Sequence, residues 1–428
     1  MARTLTPQDA HAIINLLVYE LTGQQTITAT DTSSFVSAGE LVMSYGTENV
    51  LNSLTMILNR TLVASRPYRA KLDLMEQVDT GLYSSRVRKI SFYASDAKPS
   101  GAFNTDLFTN LADGFTNGQN TQASPTSTKS QWEQNQKYPL EANFAGSSTW
   151  QYCVTRYEKQ LQAAFRSEAE FNDFISGYLV EAANDIESQR EAWNRMALLN
   201  KIASVYAMQA DMPGSVVNLT AGFNAKFGTS LTSQDLRTTY LKEFLAYFVS
   251  TVKYYSSMME HRSIGFHWTP AKNDSAGNPL SLLRHTPRDR QRLYLYNPLF
   301  IDAEAMVLPE IFNTRFLELD RQYQPVDYWQ SFDGGAEINV TPAIIDTSTG
   351  EQAAADDPVE LSYVVGMLTD VDGLMTNMQA EFTYSTPVEA RKAYRNIWTT
   401  FLRNAMIDNT ENVIIFVMED EESEDEGE

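Results

Sequence analysis

The sequence predicts an α+β protein, in which helix-forming and strand-forming segments occupy separate parts of the chain. Apolar residues recur every three or four positions over residues 6–22 and over a much longer segment that begins at Ser167, which is the pattern of amphipathic helices. Between residues 66 and 95 polar and apolar residues instead alternate, as they do in strands. The chain has 428 residues, of which 43% are hydrophobic, so it can bury the cores of two or three domains.

The first helix has clear start and stop signals. Thr6 is a suitable N-cap, Pro7 stands in the first turn where proline is tolerated, and Gly23 ends the helix. A polar, β-prone stretch follows over residues 23–34. A second helix is predicted to begin near Thr47, with an apolar stripe made of Val50, Leu51, Leu54, Ile57 and Leu58.

Residues 66–162 are predicted to form a long excursion of β-strands with an irregular tip. Residues 68–74 and 85–93 alternate as strands do, and strand-like sequence resumes near Trp150. Between them, Pro99 to Ser130 is rich in Asn, Thr, Ser, Gly and Gln. Loops of this length inside a compact domain are usually functional or bound to a partner.

The densest basic cluster of the chain lies in the second of these segments and consists of Arg86, Arg88 and Lys89. One interpretation is that these side chains contact phosphates. The other is that they form an ion-pairing face against acidic neighbours, and the net charge of −21 favours it.

The longest predicted helix begins at Ser167, which forms a capping-box pattern with Glu170. Helical spacing of apolar residues continues from Phe171 toward Ile202, and about 35 residues at about 1.5 Å each make a rod of about 50 Å. The dipeptide Pro213-Gly214 ends the segment.

Residues 215–390 are predicted to form a mixed α/β domain. A helix is expected from Ser233 to Tyr255, and a strand over residues 292–300 is followed by a helix from Ile301 to Phe316. Residues 361–369 form a buried strand that ends in a turn at Asp370 to Gly373. A strand pair, Ala390 to Met406 and Glu411 to Met418, then closes the chain, with turn residues Asp408 and Asn409 between the two strands.

The residue types that carry chemistry are sparse and do not form a recognisable constellation. The only cysteine, Cys153, is predicted to be a buried structural thiol. The histidines His261 and His267 lack metal-ligand spacing and are expected on the surface or in hydrogen bonds. The sequence contains no phosphate-binding glycine loop and no serine nucleophile elbow. No catalytic, cofactor-binding or metal-binding residue is therefore predicted.

Two weaker patterns each have a structural and a functional interpretation. Asp370 and Asp372 begin a stretch that partly matches a calcium loop, but Leu374 replaces a ligand, so a strand-end turn is favoured. The aromatic residues Trp132, Trp150, Tyr152 and Tyr157 would suit a sugar-binding platform, but aromatic residues on strands mostly serve packing.

The charge of the chain limits the classes of partner. Eight of the last ten residues, Glu419 to Glu428, are acidic, and such a run is normally solvated and disordered. Acidity argues against a protein that grips nucleic acid through phosphates, but it is compatible with the wall of a container. No segment is long and apolar enough to span a membrane, and the N-terminus lacks the pattern of a secretory signal.

The order of these elements resembles the major capsid protein of tailed bacteriophages, whose fold is shared with herpesvirus capsid floors and encapsulins. The similarity is closest to small podovirus capsid proteins, over SSFVSAGELVMSYGTENVLNSLTMILNRTLVASRPY (residues 33–68) and RKAYRNIWTTFLRNAMIDNTENVIIFVM (residues 391–418). The resemblance implies an N-terminal arm, a long β-hairpin called the E-loop, a spine helix in a peripheral domain, and an α/β axial domain. The corresponding residues are 1–65 for the arm, 66–162 for the E-loop and adjoining strands, 163–212 for the spine helix, 213–390 for the axial domain, 391–418 for closing peripheral-domain strands and 419–428 for a disordered acidic tail.

The same resemblance implies a function in assembly. Pentamers and hexamers of the chain would build the icosahedral head that encloses double-stranded DNA, with a separate scaffolding protein and a portal as further partners and without sequence-specific DNA binding. The chain would be made in the bacterial cytoplasm and reside in the virion, and residues 99–131 would be ordered only against a neighbour. The alternatives are an encapsulin-like compartment shell and a carbohydrate-active enzyme.

Overall fold

A computed structural model describes most of the body of the chain. The described residues are 7–24, 27–45, 53, 72, 75–79, 86–94, 137–145, 148–157, 165–168, 171, 181–273, 279–306, 323–346, 350–389 and 391–420. Several predictions lie outside these residues: the N-cap Thr6, nearly all of the helix near Thr47, most of the strand over residues 68–74, the irregular tip at 99–130, and the tail after Asp420.

The helices and strands are numbered here along the chain. The helices are α1 (Pro7–Thr22), α2 (Thr32–Ser44), α3 (Glu181–Ala207), α4 (Leu219–Phe227), α5 (Ser233–Thr238), α6 (Leu241–Met259) and α7 (Asn297–Met306). The strands are β1 (Glu76–Asp79), β2 (Arg86–Phe92), β3 (Pro139–Ala145), β4 (Ser148–Tyr157), β5 (Val216–Asn218), β6 (Gln291–Tyr296), β7 (Tyr323–Val326), β8 (Ile338–Val340), β9 (Ala343–Ile345), β10 (Gln352–Ala354), β11 (Val359–Leu361), β12 (Val364–Asp370), β13 (Leu374–Ser385), β14 (Tyr394–Ile407) and β15 (Val413–Val417). The predicted α+β class is confirmed.

A five-stranded mixed sheet with the order β5-β15-β12-β6-β7 forms the centre of the body. Successive residues of its inner strands enter two different hydrophobic clusters, as the period of two requires: Ile415 faces α3, whereas Phe416 faces α4 and α6. Every residue of β12 and β15 is buried. Helices therefore cover both faces of this sheet, which is a three-layer arrangement.

The predicted pairing of the two closing strands is wrong. β14 pairs with β13 and β4, whereas β15 pairs with β12 and β5 in the other sheet. The physical reason is the run of five apolar residues in β15, which needs cover on both faces and obtains it between the two clusters of the central sheet. Residues 408–412 are consequently a connector between two sheets and not a hairpin turn.

A second sheet, with the order β1-β13-β14-β4, lies beside α3. The pairing of β14 with β4 places Phe401 opposite Trp150, and the Trp150 ring contacts Trp193 of α3 at 5.9 Å between ring centroids. The Tyr152 hydroxyl donates to Asp185, also on α3, at 2.5 Å. The long strand β13 was not predicted from the sequence.

Within the described residues, the long predicted helix corresponds to α3. Its 27 residues span about 40 Å. At the predicted start, the amide of Phe171 donates to the carbonyl of Ser167 at 3.0 Å, which is a helical hydrogen bond. Glu170, the other half of the predicted capping box, lies outside the described residues.

The N-terminal region contains one predicted helix and one that was missed. α1 begins at Pro7 and ends before Gly23, whose φ of +71° favours glycine, as predicted. α2 begins inside the stretch that was predicted to be polar and β-prone, which is a correction. The missed signal is a capping box: the Asp31 side chain accepts a hydrogen bond from the amide of Ser34, and the Ser34 hydroxyl accepts one from the amide of Asp31.

Two helix boundaries in the α/β region also differ from the prediction. The single helix expected from Ser233 to Tyr255 is divided into α5 and α6 at Tyr240, whose φ of −107° and ψ of 24° are not helical. α7 begins at Asn297 instead of Ile301, because Pro298 already supplies the fixed backbone angle of a first turn. The predicted strand over residues 292–300 correspondingly ends at Tyr296.

Candidate functional site at a buried ion cluster

The strands β2 and β3 pair with each other and with no other described strand, and they form the β2–β3 hairpin. Side chains along β2 alternate between the body and solvent. On the body side, Ser91 is buried and accepts a hydrogen bond from Arg284 at 2.8 Å. Tyr93, just after the strand, is also buried and donates to the carbonyl of Pro270 at 3.1 Å. The hairpin is therefore held against the body along one face.

Lys89, on the same face, forms two ion pairs with the body. Its ammonium lies 2.6 Å from a carboxylate oxygen of Asp408 and 2.5 Å from one of Glu411. Both acids belong to the connector between β14 and β15. Arg284 approaches Glu411 at 3.3 Å and donates to the carbonyl of Thr410 at 3.0 Å.

A second lysine reaches the connector from the opposite side. Lys201 of α3 is fully buried, and its ammonium donates to the carbonyl of Asp408 at 2.8 Å and to the side-chain oxygen of Asn409 at 2.9 Å. We call Lys89, Lys201, Arg284, Asp408 and Glu411 the ion cluster. It joins the β2–β3 hairpin, α3 and both sheets at one point.

The ion cluster shifts the proton affinity of its members. Burial lowers the pKa of Lys89, but the carboxylates of Asp408 and Glu411 raise it by more, so its pKa lies above the ordinary value. Burial alone would raise the pKa of Asp408, yet the charge of Lys89 holds it below the usual range. For Glu411 burial dominates and the pKa is raised, and burial lowers the pKa of Lys201 to about 8. Lys89 and Asp408 are therefore ionised at neutral pH.

Neutral hydrogen bonds extend the same network. Asn412 donates to the hydroxyl of Thr286 at 3.2 Å, and that hydroxyl donates to Asp370 at 2.8 Å. The buried ring of His267 donates through Nε2 to the carbonyl of Leu282 at 2.8 Å, as expected for a hydrogen-bonding histidine. Burial keeps the pKa of His267 below its ordinary value.

The stretch that partly matches a calcium loop is a strand-end turn, as predicted. Asp370 closes it by accepting a hydrogen bond from the amide of Asp372 at 2.9 Å, and the guanidinium of Arg290 pairs with both acids. The carboxylates of this turn are thus matched by a cation of the same chain.

The outward face of the β2–β3 hairpin has a different character. Ile90 and Phe92 are 51% and 55% exposed, and Arg88 pairs with Glu141 of β3 at 2.8 Å in the open. The ion-pairing interpretation of the basic cluster is confirmed for Arg88 and Lys89. Ile90 and Phe92 are two residues apart on one face of β2 and together form an exposed apolar strip.

The prediction that the single cysteine is buried is wrong. Cys153 is exposed because it lies on the face of β4 that points away from α3, opposite Trp398 of β14.

The aromatic residues of this region are not gathered into one platform. Trp150 and Tyr152 contact α3, whereas Tyr157 contacts Tyr394 at 5.9 Å between ring centroids; Trp132 lies outside the described residues.

One signal for the ion cluster is visible in the sequence but was overlooked. Lys201 interrupts the apolar stripe of α3 between Leu198 and Ile202, both buried, and a lysine in such a position needs a buried partner. Its partners lie more than two hundred residues away along the chain, so spacing could not identify them.

Two kinds of feature are absent from the described residues. They include no cluster of three or more His, Cys, Asp or Glu side chains arranged as a metal site. None of the helices in the described part of the chain has the length and apolar character needed to cross a membrane.

The chain is similar to several solved structures of bacteriophage capsids. The capsid of Staphylococcus phage Andhra aligns with a TM-score of 0.47 and 8% identity, covering 82% of this chain and 84% of that one. The mature capsid of bacteriophage PhiM1 gives a TM-score of 0.40 and 10% identity, covering 82% and 87%. The capsid of the cyanophage P-SCSP1u gives 0.39 and 13%, covering 82% and 90%. No family model matches the chain, and no curated protein does.

Proposed function

We propose that this chain is the major capsid protein of a tailed bacteriophage, which assembles through pentamers and hexamers into the icosahedral head around double-stranded DNA. A separate scaffolding protein and a portal are its expected assembly partners, and DNA is enclosed without sequence-specific contacts. The virion is its proposed location, after synthesis in the bacterial cytoplasm. In this assignment its work is done by surfaces between copies and not by a catalytic centre.

The observation that carries the proposal is the two-faced β2–β3 hairpin. A two-stranded hairpin is marginal in water by itself, and this one has an ion-paired face on the body and an apolar strip on the other side. The strip, Ile90 and Phe92, is available to a second molecule. In the E-loop role that the sequence resemblance implies, the partner is a neighbouring copy, and many such contacts in a closed shell add up to a durable container.

The order of elements supports the same assignment. Helices α1 and α2 precede the hairpin, α3 follows it, and the central sheet comes next, as an arm, an E-loop, a spine helix and an axial domain would. One detail of the proposed division changes: β15 pairs within the central sheet, so we assign it to the axial domain while β14 remains peripheral.

Negative-stain microscopy and analytical ultracentrifugation of the purified chain test the proposal. We expect polyhedral shells or open sheets of capsomers. Open sheets are expected if the chain needs a scaffolding protein to supply curvature. A chain that stays monomeric at all accessible concentrations would contradict the proposal.

The double variant Ile90→Asp with Phe92→Asp tests the role of the strip. It places charge on the outward face and leaves the ion cluster intact, so the monomer should fold while assembly is lost. Ile301→Asp, at a comparably exposed isoleucine of α7, is the matched control and should assemble. Equal assembly by both variants would remove the hairpin from the interface.

A further inference from the structure

An aromatic pocket lies between α4 and α6, on one side of the central sheet. It encloses about 570 Å³, and its wall is formed by Phe223, Phe227, Tyr240 and Tyr247. The rings contact one another, with 4.6 Å between the centroids of Phe223 and Phe227 and 5.5 Å between those of Phe223 and Tyr247. Phe227 and Tyr240 are exposed, so the pocket presents aromatic surface to solvent.

The rim of the aromatic pocket carries one cation and one anion. The ammonium of Lys226 lies 5.2 Å from the centroid of the Tyr247 ring and 5.6 Å from that of Phe227, which is within the range of a cation–π contact. Glu243 lies on the lining as well. An acidic group that approaches the pocket is therefore favoured on the Lys226 side only.

A matching knob projects elsewhere on the same chain. Phe332 is 85% exposed, which is the largest exposure among the bulky apolar side chains of the described residues. The turn that presents it is held firmly: the amide of Gly335 donates to the carbonyl of Ser331 at 3.1 Å, and that of Trp329 to the carbonyl of Gly335 at 2.9 Å. Trp329 itself is fully buried. The ring is thus displayed on a fixed support, which lowers the entropy cost of binding.

The knob and the pocket lie at opposite edges of the central sheet. The pocket is formed partly by α4, which follows edge strand β5, whereas the turn with Phe332 follows the other edge strand, β7. They also lie on opposite faces, since Trp329 belongs to the cluster around α3 and Phe223 to the cluster around α6. One copy cannot fill its own pocket, but it can fill the pocket of the next.

We propose that Phe332 of one copy inserts into the aromatic pocket of a second copy, with Asp333 beside Lys226. Asp333 next to the knob and Lys226 beside the pocket are both exposed and carry opposite charges, so the two surfaces are complementary in charge. Contacts between two different patches run head to tail, and they close into rings when the rotation between copies permits it. The inference rests on the proposed function and names one surface that would join copies within a capsomer.

Two complementary variants test the contact. Phe332→Ala removes the knob and keeps the pocket; Ala246→Trp fills the pocket, whose lining includes Ala246, and keeps the knob. Each alone should associate about ten- to a hundredfold more weakly than the wild type, the effect of withholding one phenylalanine from burial. Mixed together, they should associate more strongly than either variant alone, because the intact knob of one variant can enter the intact pocket of the other. Tyr254→Ala, at another exposed aromatic residue, is the matched control.

Native mass spectrometry of the variants and their mixture gives the readout, and circular dichroism checks that each variant is folded. A charge exchange adds a second arm: Asp333→Lys should weaken association, and adding Lys226→Glu should restore it. If the wild type assembles and Phe332→Ala assembles equally well, the inference fails and the proposed function stands. If the wild type forms only small oligomers that depend on Phe332, and neither shells nor sheets of capsomers, the inference stands and the proposed function fails. A monomeric wild type overturns both.

Discussion

Replacing Lys89 with methionine removes the cation that two buried carboxylates share. The side chains of Asp408 and Glu411 are only 1% and 9% exposed, so water cannot replace the lost ammonium. Removing one partner of a buried pair typically costs about 3–5 kcal/mol. Thr410 still donates to Asp408 at 2.7 Å and Arg284 still lies 3.3 Å from Glu411, which places the expected cost at the lower end, about 3 kcal/mol.

This cost should appear as local opening of the β2–β3 hairpin. Amide hydrogen exchange measures such opening segment by segment, and about 3 kcal/mol corresponds to exchange faster by roughly two orders of magnitude. Amides of β2 and β3 should lose protection by that factor at neutral pH, while those of β12 and β15 keep theirs.

Arg88→Met is the matched control, one residue away on the opposite face of β2. Arg88 and its partner Glu141 are 52% and 39% exposed, and an exposed pair of this kind contributes about 0.2–1 kcal/mol. Similar exchange rates in the two variants would refute the reasoning that the ion cluster fastens the hairpin. A double-mutant cycle of Lys89→Met with Asp408→Asn should give a coupling of at least about 1 kcal/mol.

Three other expectations follow from the described residues. The pKa of Lys201 is about 8 in the folded chain, whereas its ordinary value is 10.5. Between pH 8 and 10.5 the unfolded chain therefore binds more protons than the folded chain, and the free energy of unfolding rises with pH. Across this pH range the free energy of unfolding of the wild type, measured with denaturant, should increase by up to about 3 kcal/mol relative to that of Lys201→Met. Gly366→Ala should destabilise the fold by about 1–3 kcal/mol, because an added Cβ would lie 2.5 Å from the backbone oxygen of Tyr294. A Cβ added at Gly265 meets nothing within 4 Å, so Gly265→Ala should leave thermal unfolding nearly unchanged. Replacing residues 95–136 with a short glycine-serine turn should leave a folded chain that does not assemble, since the amide of Tyr93 already lies 3.1 Å from the carbonyl of Tyr138; assembly as efficient as the wild type's in ultracentrifugation would contradict the E-loop assignment.

Local signals were enough for the elements whose neighbours in sequence determine them. α1 has its proline and its terminal glycine within the segment, and the alternation of β2 is complete in seven residues. β12 is a continuous apolar run that ends in a turn closed by Asp370, and both features are visible in the sequence. α2 was missed even though its capping box is local, because its small and hydroxylated residues resemble those of a loop.

The pairing of distant strands and the exposure of strand side chains could not be predicted from the same local signals. Whether β14 and β15 pair with each other depends on which apolar clusters exist to cover β15, and those clusters contain residues from many parts of the chain. The exposure of Cys153 likewise depends on which face of its sheet meets α3, since an alternating strand fits either side.

The sequence by itself determined the α+β class, the position of the long helix and the alternation that gives β2 two different faces. It also indicated that the basic residues of β2 meet acids. Only the tertiary structure decided which acids these are, because Asp408 and Glu411 are more than three hundred residues from Lys89 along the chain. Periodicity describes which side of an element is apolar, whereas a buried charge is satisfied by whichever group the fold brings within hydrogen-bonding distance, and that group can come from anywhere in the chain.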